Sequence, residues 1–247
     1  MNLSSITAVV LAGGFGTRIK HRLGSVPKPL AVVANQPFLH WIFHNLQNQG
    51  IRKIVLLTHY EAEQIHKFAA SRTNQDFQIK CIREETPAGT GGAVLNLIEH
   101  ENELSEIFML LNGDSLLLNV DLTKALEIIN KGGDGVVIGI DVPDTSRYGS
   151  LIYNNAGELL SFREKQSGSG TINSGIYCFR TKIFSDIMNL QLPTSLEKDI
   201  IPSFLDLNKK IYVFPSKGDF IDIGTDESLS IASSFVEASF LKNWLEG

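Results

Sequence analysis

Cysteine is scarce in this 247-residue chain, and its two copies, Cys81 and Cys178, sit in apolar strand-like runs. They make neither a disulfide framework nor a metal-ligand spacing, so two buried free thiols in a reducing compartment are expected. An excess of one charge is also lacking: 22 Lys and Arg stand against 27 Asp and Glu, a formal net charge of −5, with no long run of like sign. That argues against a nucleic-acid or membrane partner and leaves room only for a local basic pocket. The first apolar run, Ile6 to Ala12, has no basic stretch ahead of it and is too short for a signal segment or a membrane span. No internal repeat and no low-complexity tract occurs, and the six histidines form no motif. The expectation from these absences is a cytoplasmic globular protein with length enough for one large α/β domain or two small ones.

What is present first is an alternation of strand and helix. Continuous aliphatic runs at Thr7–Leu11, Lys53–Leu57, Ile79–Ile82, Ile107–Leu111 and Gly135–Ile140 suit strands buried on both faces of a parallel sheet. Helical patterns lie between them at Phe38–Gln49, Glu61–Ala70, Gly92–Leu97 and Asp121–Asn130, with Asp121 placed as an N-cap. The second half changes character. A hairpin turning at Asn154–Gly157 and a strand over 171–179 precede helices at Lys182–Met188 and Leu196–Phe204. Strands at Ile211–Phe214 and Phe220–Ile223 and an amphipathic helix from Asp226 to Trp244 follow. The reading is one α/β/α unit over residues 1–247, with a nucleotide half of about 1–115 and a half of about 116–247 that adds antiparallel strands. The apolar end of the last helix fits either core packing or a homodimer surface.

The stretch VVLAGGFGTR (9–18) places glycines directly after a buried strand, where exposed backbone N–H groups suit an anion. A dinucleotide fingerprint would need glycine or alanine where Ile19 stands, and a kinase-type loop would need a following Lys-Ser or Lys-Thr. Neither is present, so a hydride-transferring dehydrogenase is disfavoured and a plain tight turn stays open. Arg18 adds a cation suited to multiply charged phosphate. In PKPL (27–30), Lys28 is held between two prolines that restrict the backbone and place its charge at little entropic cost.

LAGGFGTR together with PKPL resembles the signature of the sugar-1-phosphate nucleotidyltransferases, and similar motifs continue to about Thr225. The resemblance implies a Rossmann-like three-layer α/β/α fold with a mixed, mostly parallel sheet. It implies an NTP and a sugar 1-phosphate as substrates, and a nucleotide sugar (for surface polysaccharide) plus pyrophosphate as products. It places Leu11, Ala12, Gly13, Gly14, Gly16, Thr17 and Arg18 on the nucleotide, with Lys28 near the α-phosphate. In EETPAGTGGA (84–93), a structural reading makes Thr90 the cap of a helix start, whereas the resemblance puts Glu84, Gly89 and Thr90 at the base. A carboxylate there can accept from the N1–H and 2-amino donors of guanine, which favours GTP. Ala88 stands where the family has leucine.

LLNGDSL (111–117) puts Asp114 at the carboxyl end of a buried strand, where such sheets bind ligands, and DFIDIGT (219–225) sets Asp222 between isoleucines. By resemblance these two aspartates hold Mg²⁺, a hard ion that takes few protein carboxylates, while Asp219 is the solvated one. Glu164 and Lys165 are ordinary exposed charges taken singly. By resemblance they meet the sugar hydroxyls and the sugar phosphate, with Asn173 and the Gly149 backbone completing that site. Gln166 replaces a family proline. In SLEKDIIP (195–202), Ser195 capping a helix with Glu197 in its first turn is a sufficient account, leaving Glu197 at most a minor part in substrate contact.

The implied reaction is in-line attack of a sugar phosphate oxygen on the α-phosphorus, which needs no Ser, Cys or His base. Lacking β-helix hexapeptides, the chain does not match the bifunctional acetyltransferase form. ETPAGTGGA, SRYGSL and TINSGIY are most similar to bacterial guanylyltransferases acting on D-glycero-D-manno-heptose 1-phosphate, beside mannose 1-phosphate and N-acetylmuramate 1-phosphate enzymes. A non-catalytic nucleotide-sugar sensor should have lost a metal aspartate or Lys28, and this chain keeps them.

Overall fold

Four of the five apolar runs expected as strands become strands covered on both faces, while the run Ile79–Ile82 lies in the strand at the sheet edge, where no residue is fully buried. The computed structural model describes residues 2–100, 104–163 and 167–245. The first half contains β1 (Thr7–Leu11), α1 (Lys20–Leu23), β2 (Val32–Val33), β3 (Gln36–Pro37), α2 (Phe38–Asn48), β4 (Lys53–Thr58), α3 (Ala62–Ala70), β5 (Gln78–Arg83), α4 (Gly89–His100) and β6 (Ile107–Asn112). Then come β7 (Ser115–Leu118), α5 (Leu122–Asn130), β8 (Gly135–Val142), β9 (Ser150–Tyr153), β10 (Leu159–Arg163), β11 (Gly170–Arg180), α6 (Ile201–Asp206), β12 (Ile211–Ser216), β13 (Asp219–Asp222) and α7 (Asp226–Leu245).

One nine-stranded sheet runs β10-β9-β11-β6-β1-β4-β5, with β8 pairing β11 and β12 pairing β8. β1, β4, β5 and β6 are parallel, and β12 is parallel to β8. β11 runs against β6, β8 and β9, and β10 runs against β9. Among the described strands of this sheet, only β10 and β11 therefore oppose the rest. The mixed, mostly parallel α/β/α expectation matches. Ala8 and Val10 of β1 point into one core cluster and Val9 into the other, each with no accessible surface. Each such aliphatic side chain contributes ~1.5–3 kcal/mol when taken out of water.

Three local features differ from the sequence reading. α4 starts at Gly89 rather than Gly92, because the Thr194 carbonyl accepts from Gly91 N–H and Gly92 N–H (2.8 and 3.2 Å) and caps that first turn from outside. The helix expected at Lys182–Met188 is present as a 3-10 helix over Thr181–Ile187, and the one expected at Leu196–Phe204 begins as a π-type turn over Leu196–Ile200 before α6. β7 and β13, which flank the two candidate metal aspartates, form a small antiparallel sheet of their own. Asp121 does cap α5, its carboxylate accepting from Thr123 N–H at 3.1 Å. α7 buries Ser228, Ala232, Val236 and Ser239 along one face. Cys81 and Cys178 are free thiols, with burial pushing them up to about 11 and about 12. Among the described residues no helix is long and apolar enough to cross a membrane.

Candidate active site

The carboxyl ends of β1 and β6 open into a cavity of about 420 Å³. Residues 11–19 make one wall of it, and Lys28, Glu84, Gly89, Thr90 and Asp114 contribute to the others. Twelve of the expected nucleotide, catalytic and metal residues are thus gathered on one surface: Leu11, Ala12, Gly13, Gly14, Gly16, Thr17, Arg18 and the five just named. Arg18 is exposed at the cavity, with no hydrogen bond or ion pair to a described residue.

Lys28 opens a short 3-10 turn that Pro27 enters in an extended conformation. The clamp leaves its ammonium 2.5 Å from Asp114 Oδ2, with the lysine side chain only 15% exposed. Asp222 does not itself line the cavity, but the β7–β13 pairing brings it opposite Ser115 and beside Asp114. Ile223 N–H donates to the Asp114 carbonyl at 2.9 Å. The partner required by an aspartate set between isoleucines is Tyr148, whose hydroxyl donates to Asp222 Oδ2 at 2.6 Å, while Gly224 N–H donates to Oδ1 at 2.9 Å. Burial first, and then Asp222, pushes the Tyr148 phenol up to about 12. Asp219 sits at the surface and accepts from Asn119 at 2.8 Å. Two aspartates on neighbouring segments, one of them paired with a lysine, are a donor set whose chemistry fits Mg²⁺, which takes one or two carboxylates and completes its shell with phosphate oxygens and water.

At another part of the same cavity, Glu84 is drawn inward by β5. Its Oε1 is buried with no partner among the described residues, while its carboxylate meets the Ala88 N–H. His59 Nδ1 lies 3.0 Å from the Glu84 carbonyl, and the His59 ring packs edge-on against Phe15. Desolvation raises the Glu84 carboxyl above its ordinary value, with the Ala88 N–H and His59 opposing. Between the unfolded value of 4.5 and the raised folded one, the native state holds more protons, so stability falls as pH rises through that window. Glu84→Gln removes the buried charge. Its melting temperature should therefore exceed the parent's at pH 8, with the gap closing below pH 4.5, as differential scanning fluorimetry over pH would show.

The turn 88–92 is zipped to residues 194–196. Thr194 N–H donates to the Ala88 carbonyl at 2.8 Å, alongside the two bonds into the first turn of α4. Thr90 is accordingly not the cap of its own helix: its hydroxyl accepts from Leu196 N–H at 2.9 Å and secures the π-type turn instead. That turn carries Glu197 onto the cavity wall, a placement the sequence reading missed. Gly149 and Asn173, expected on the sugar, do not line this cavity, although they bond to each other through Asn173 N–H and the Gly149 carbonyl at 3.2 Å. Asn173 lies at a register shift in β11 where Gly175 has φ +75, and a side chain at Gly175 would collide with Asn112. Glu164 and Lys165 fall outside the described residues.

The family model described as nucleotidyl transferase matches residues 7–239. The D-glycero-alpha-D-manno-heptose 1-phosphate guanylyltransferase of Aneurinibacillus thermoaerophilus is 36% identical over 219 residues, 88% of this chain and 92% of that one. Its counterpart in Campylobacter jejuni is 32% identical over 222 residues, covering 89% and 95%. Among solved structures, HddC from Yersinia pseudotuberculosis complexed with GMP-PN superposes with a TM-score of 0.80 at 33% identity, covering 93% of this chain and 98% of that one. With the fold, the glycine-rich wall and the Lys28–Asp114 corner in place, these matches show that the chain belongs to the nucleotidyl transferase family.

Proposed function

We propose that this chain transfers GMP from GTP to D-glycero-α-D-manno-heptose 1-phosphate, forming a GDP-sugar and releasing pyrophosphate. The observation that carries the choice of base is Glu84, a residue of the cavity wall whose buried Oε1 has no partner among the described residues, in the cavity that also holds the Lys28–Asp114 pair. A buried carboxylate oxygen is costly without a donor, and the guanine N1–H and 2-amino group supply adjacent donors that uracil and cytosine do not. The choice of sugar is supported by the names of the relatives at 36% and 32% identity.

In this reading a sugar phosphate oxygen attacks the α-phosphorus in line, a P–O bond forms, and the bond to the β-phosphate oxygen breaks. The nucleophile is already anionic, so the obstacle is repulsion between two polyanions, which positioning and charge relieve. The N–H groups of residues 13–17 and Arg18 hold the β- and γ-phosphates. Lys28 turns from Asp114 to the α-phosphate, and Lys165 and Glu164 receive the sugar phosphate and sugar hydroxyls. Asp114 and Asp222 would hold Mg²⁺, which neutralises phosphate charge when bound.

Pyrophosphate release, measured over a panel of NTPs and sugar 1-phosphates with Mg²⁺ and with a chelator, tests the proposal. GTP with the heptose phosphate should be the fastest pair, and the chelator should stop it. Preference for UTP would overturn the base assignment, and silence with every pair would favour a nucleotide-sugar sensor. Glu84→Gln should raise the KM for GTP about tenfold or more, since a hydrogen-bonded charged acceptor is lost.

A further inference from the structure

Glu197 has an obvious structural duty that other residues perform. Ser195 Oγ accepts from Lys198 N–H at 3.2 Å, and Asp199 Oδ2 accepts from Ser195 N–H at 2.7 Å, so cap and reciprocal acid are both supplied. Glu197 instead accepts from the Tyr177 hydroxyl at 2.9 Å through Oε1 and from Ser195 Oγ at 3.2 Å through Oε2, and it lines the cavity. Tyr177 is completely buried and stacked on Phe179, and its oxygen accepts from Asn173 Nδ2 at 2.6 Å. Burial first, then Glu197, raises the phenol well above its ordinary value, so it remains a donor throughout the working pH range.

A carboxylate offers about four acceptor positions, and two are taken. Asn173 is more committed: its Nδ2 serves Tyr177, and its Oδ1 accepts from Gly175 N–H at 3.0 Å. The cavity wall holds Glu197, not Asn173. A fixed anion in a pocket for two phosphates would repel them, so its natural ligands are neutral donors such as vicinal sugar hydroxyls.

We infer that Glu197 is a specificity-determining residue of the sugar site, accepting hydrogen bonds from two adjacent ring hydroxyls of the sugar 1-phosphate, with Tyr177 and Ser195 as its positioning residues. The inference rests on the reading of this chain as a sugar-1-phosphate nucleotidyltransferase. The chain Asn173–Tyr177–Glu197 then connects the residue expected from sequence to the group that makes the contact.

The test is steady-state pyrophosphate release by the full chain and by Glu197→Gln, Glu197→Ala and Tyr177→Phe, with each substrate varied in turn. The substrates are GTP with the heptose or mannose 1-phosphate and with monodeoxy derivatives of each. The KM for the sugar phosphate should rise about 10- to 100-fold in Glu197→Ala and less in Glu197→Gln, with the KM for GTP within about twofold. Two of the monodeoxy derivatives, at adjacent ring positions, should each narrow the gap between parent and variant, because each lacks one of the two hydroxyls that Glu197 receives. Tyr177→Phe keeps the ring and removes the donor, so the same KM should rise by a smaller factor, and an unchanged KM would overturn its positioning role. Unaltered sugar KM in a folded Glu197→Ala, or a rise confined to GTP, overturns the inference while the proposed function stands. A parent chain inactive with every pair overturns both.

Discussion

Asp114→Asn is expected to lower kcat about a thousandfold, ~4 kcal/mol of transition-state stabilisation, while the chain stays folded and still binds GTP. The substitution conserves shape and deletes the charge that faces the Lys28 ammonium. Asp114 lies in the turn between β6 and β7, and its carbonyl, which accepts from Ile223 N–H, is untouched, so the link to β13 survives. GTP affinity without added Mg²⁺ should hold or tighten, since one negative charge near the phosphates has gone. Loss of turnover with retained binding would separate reaction chemistry from nucleotide capture. Lys28→Ala should lose turnover similarly, and its GTP binding should weaken as well. Near-parental kcat in either variant would remove the Lys28–Asp114 corner from the mechanism. Circular dichroism and calorimetric titration with GTP are the controls.

Gly89→Ala should lower global stability by ~3 kcal/mol, a fall in melting temperature of about 6–12 °C for a chain of this size. Two penalties coincide. Gly89 has φ +80, a conformation that costs alanine ~1–2 kcal/mol, and the added Cβ would stand 2.5 Å from the Thr194 carbonyl oxygen. Backbone cannot swing aside as a flexible side chain can, so relief must open the 88–92 turn. That opening weakens three bonds with Thr194: from Gly91 N–H, from Gly92 N–H and to the Ala88 carbonyl. Gly14→Ala is the matched comparison, because a Cβ there meets nothing within 4 Å, and its melting temperature should barely move. A drop no larger for Gly89 than for Gly14 would mean that the contact yields cheaply. Calorimetric scans of the two variants decide it.

These expectations differ in how far the sequence alone supports them. Lys28 between two prolines was readable because proline restricts the backbone locally. Asp114 was readable because a polar loop ending a buried strand faces the ligand side of an α/β sheet. Asp222 was singled out by its apolar neighbours, but its partner Tyr148 lies 74 positions away and leaves no local trace. Thr90 illustrates the opposite error. Its position beside a helix start is a sound local argument for a cap, yet its hydroxyl serves Leu196, 106 positions on. Glu197 misleads for a similar reason: a Ser-capped turn accounts for a nearby acid and leaves it only a minor part with substrate, and the fold alone shows Asp199 doing that capping work.

Sequence by itself determined the alternating α/β architecture, the two-sided burial of four of the five expected strands (β5 lies at the sheet edge) and the glycine-rich and lysine-bearing segments. Each is written in neighbouring residues as apolar continuity, turn chemistry or proline stiffness. Tertiary structure alone decided that β7 and β13 pair and bring Asp114 beside Asp222, that the 88–92 turn locks onto Thr194, and that a buried tyrosine holds Glu197 on the cavity wall. Hydrogen bonds between distant segments depend on which strands become neighbours, and no short window of sequence contains that information.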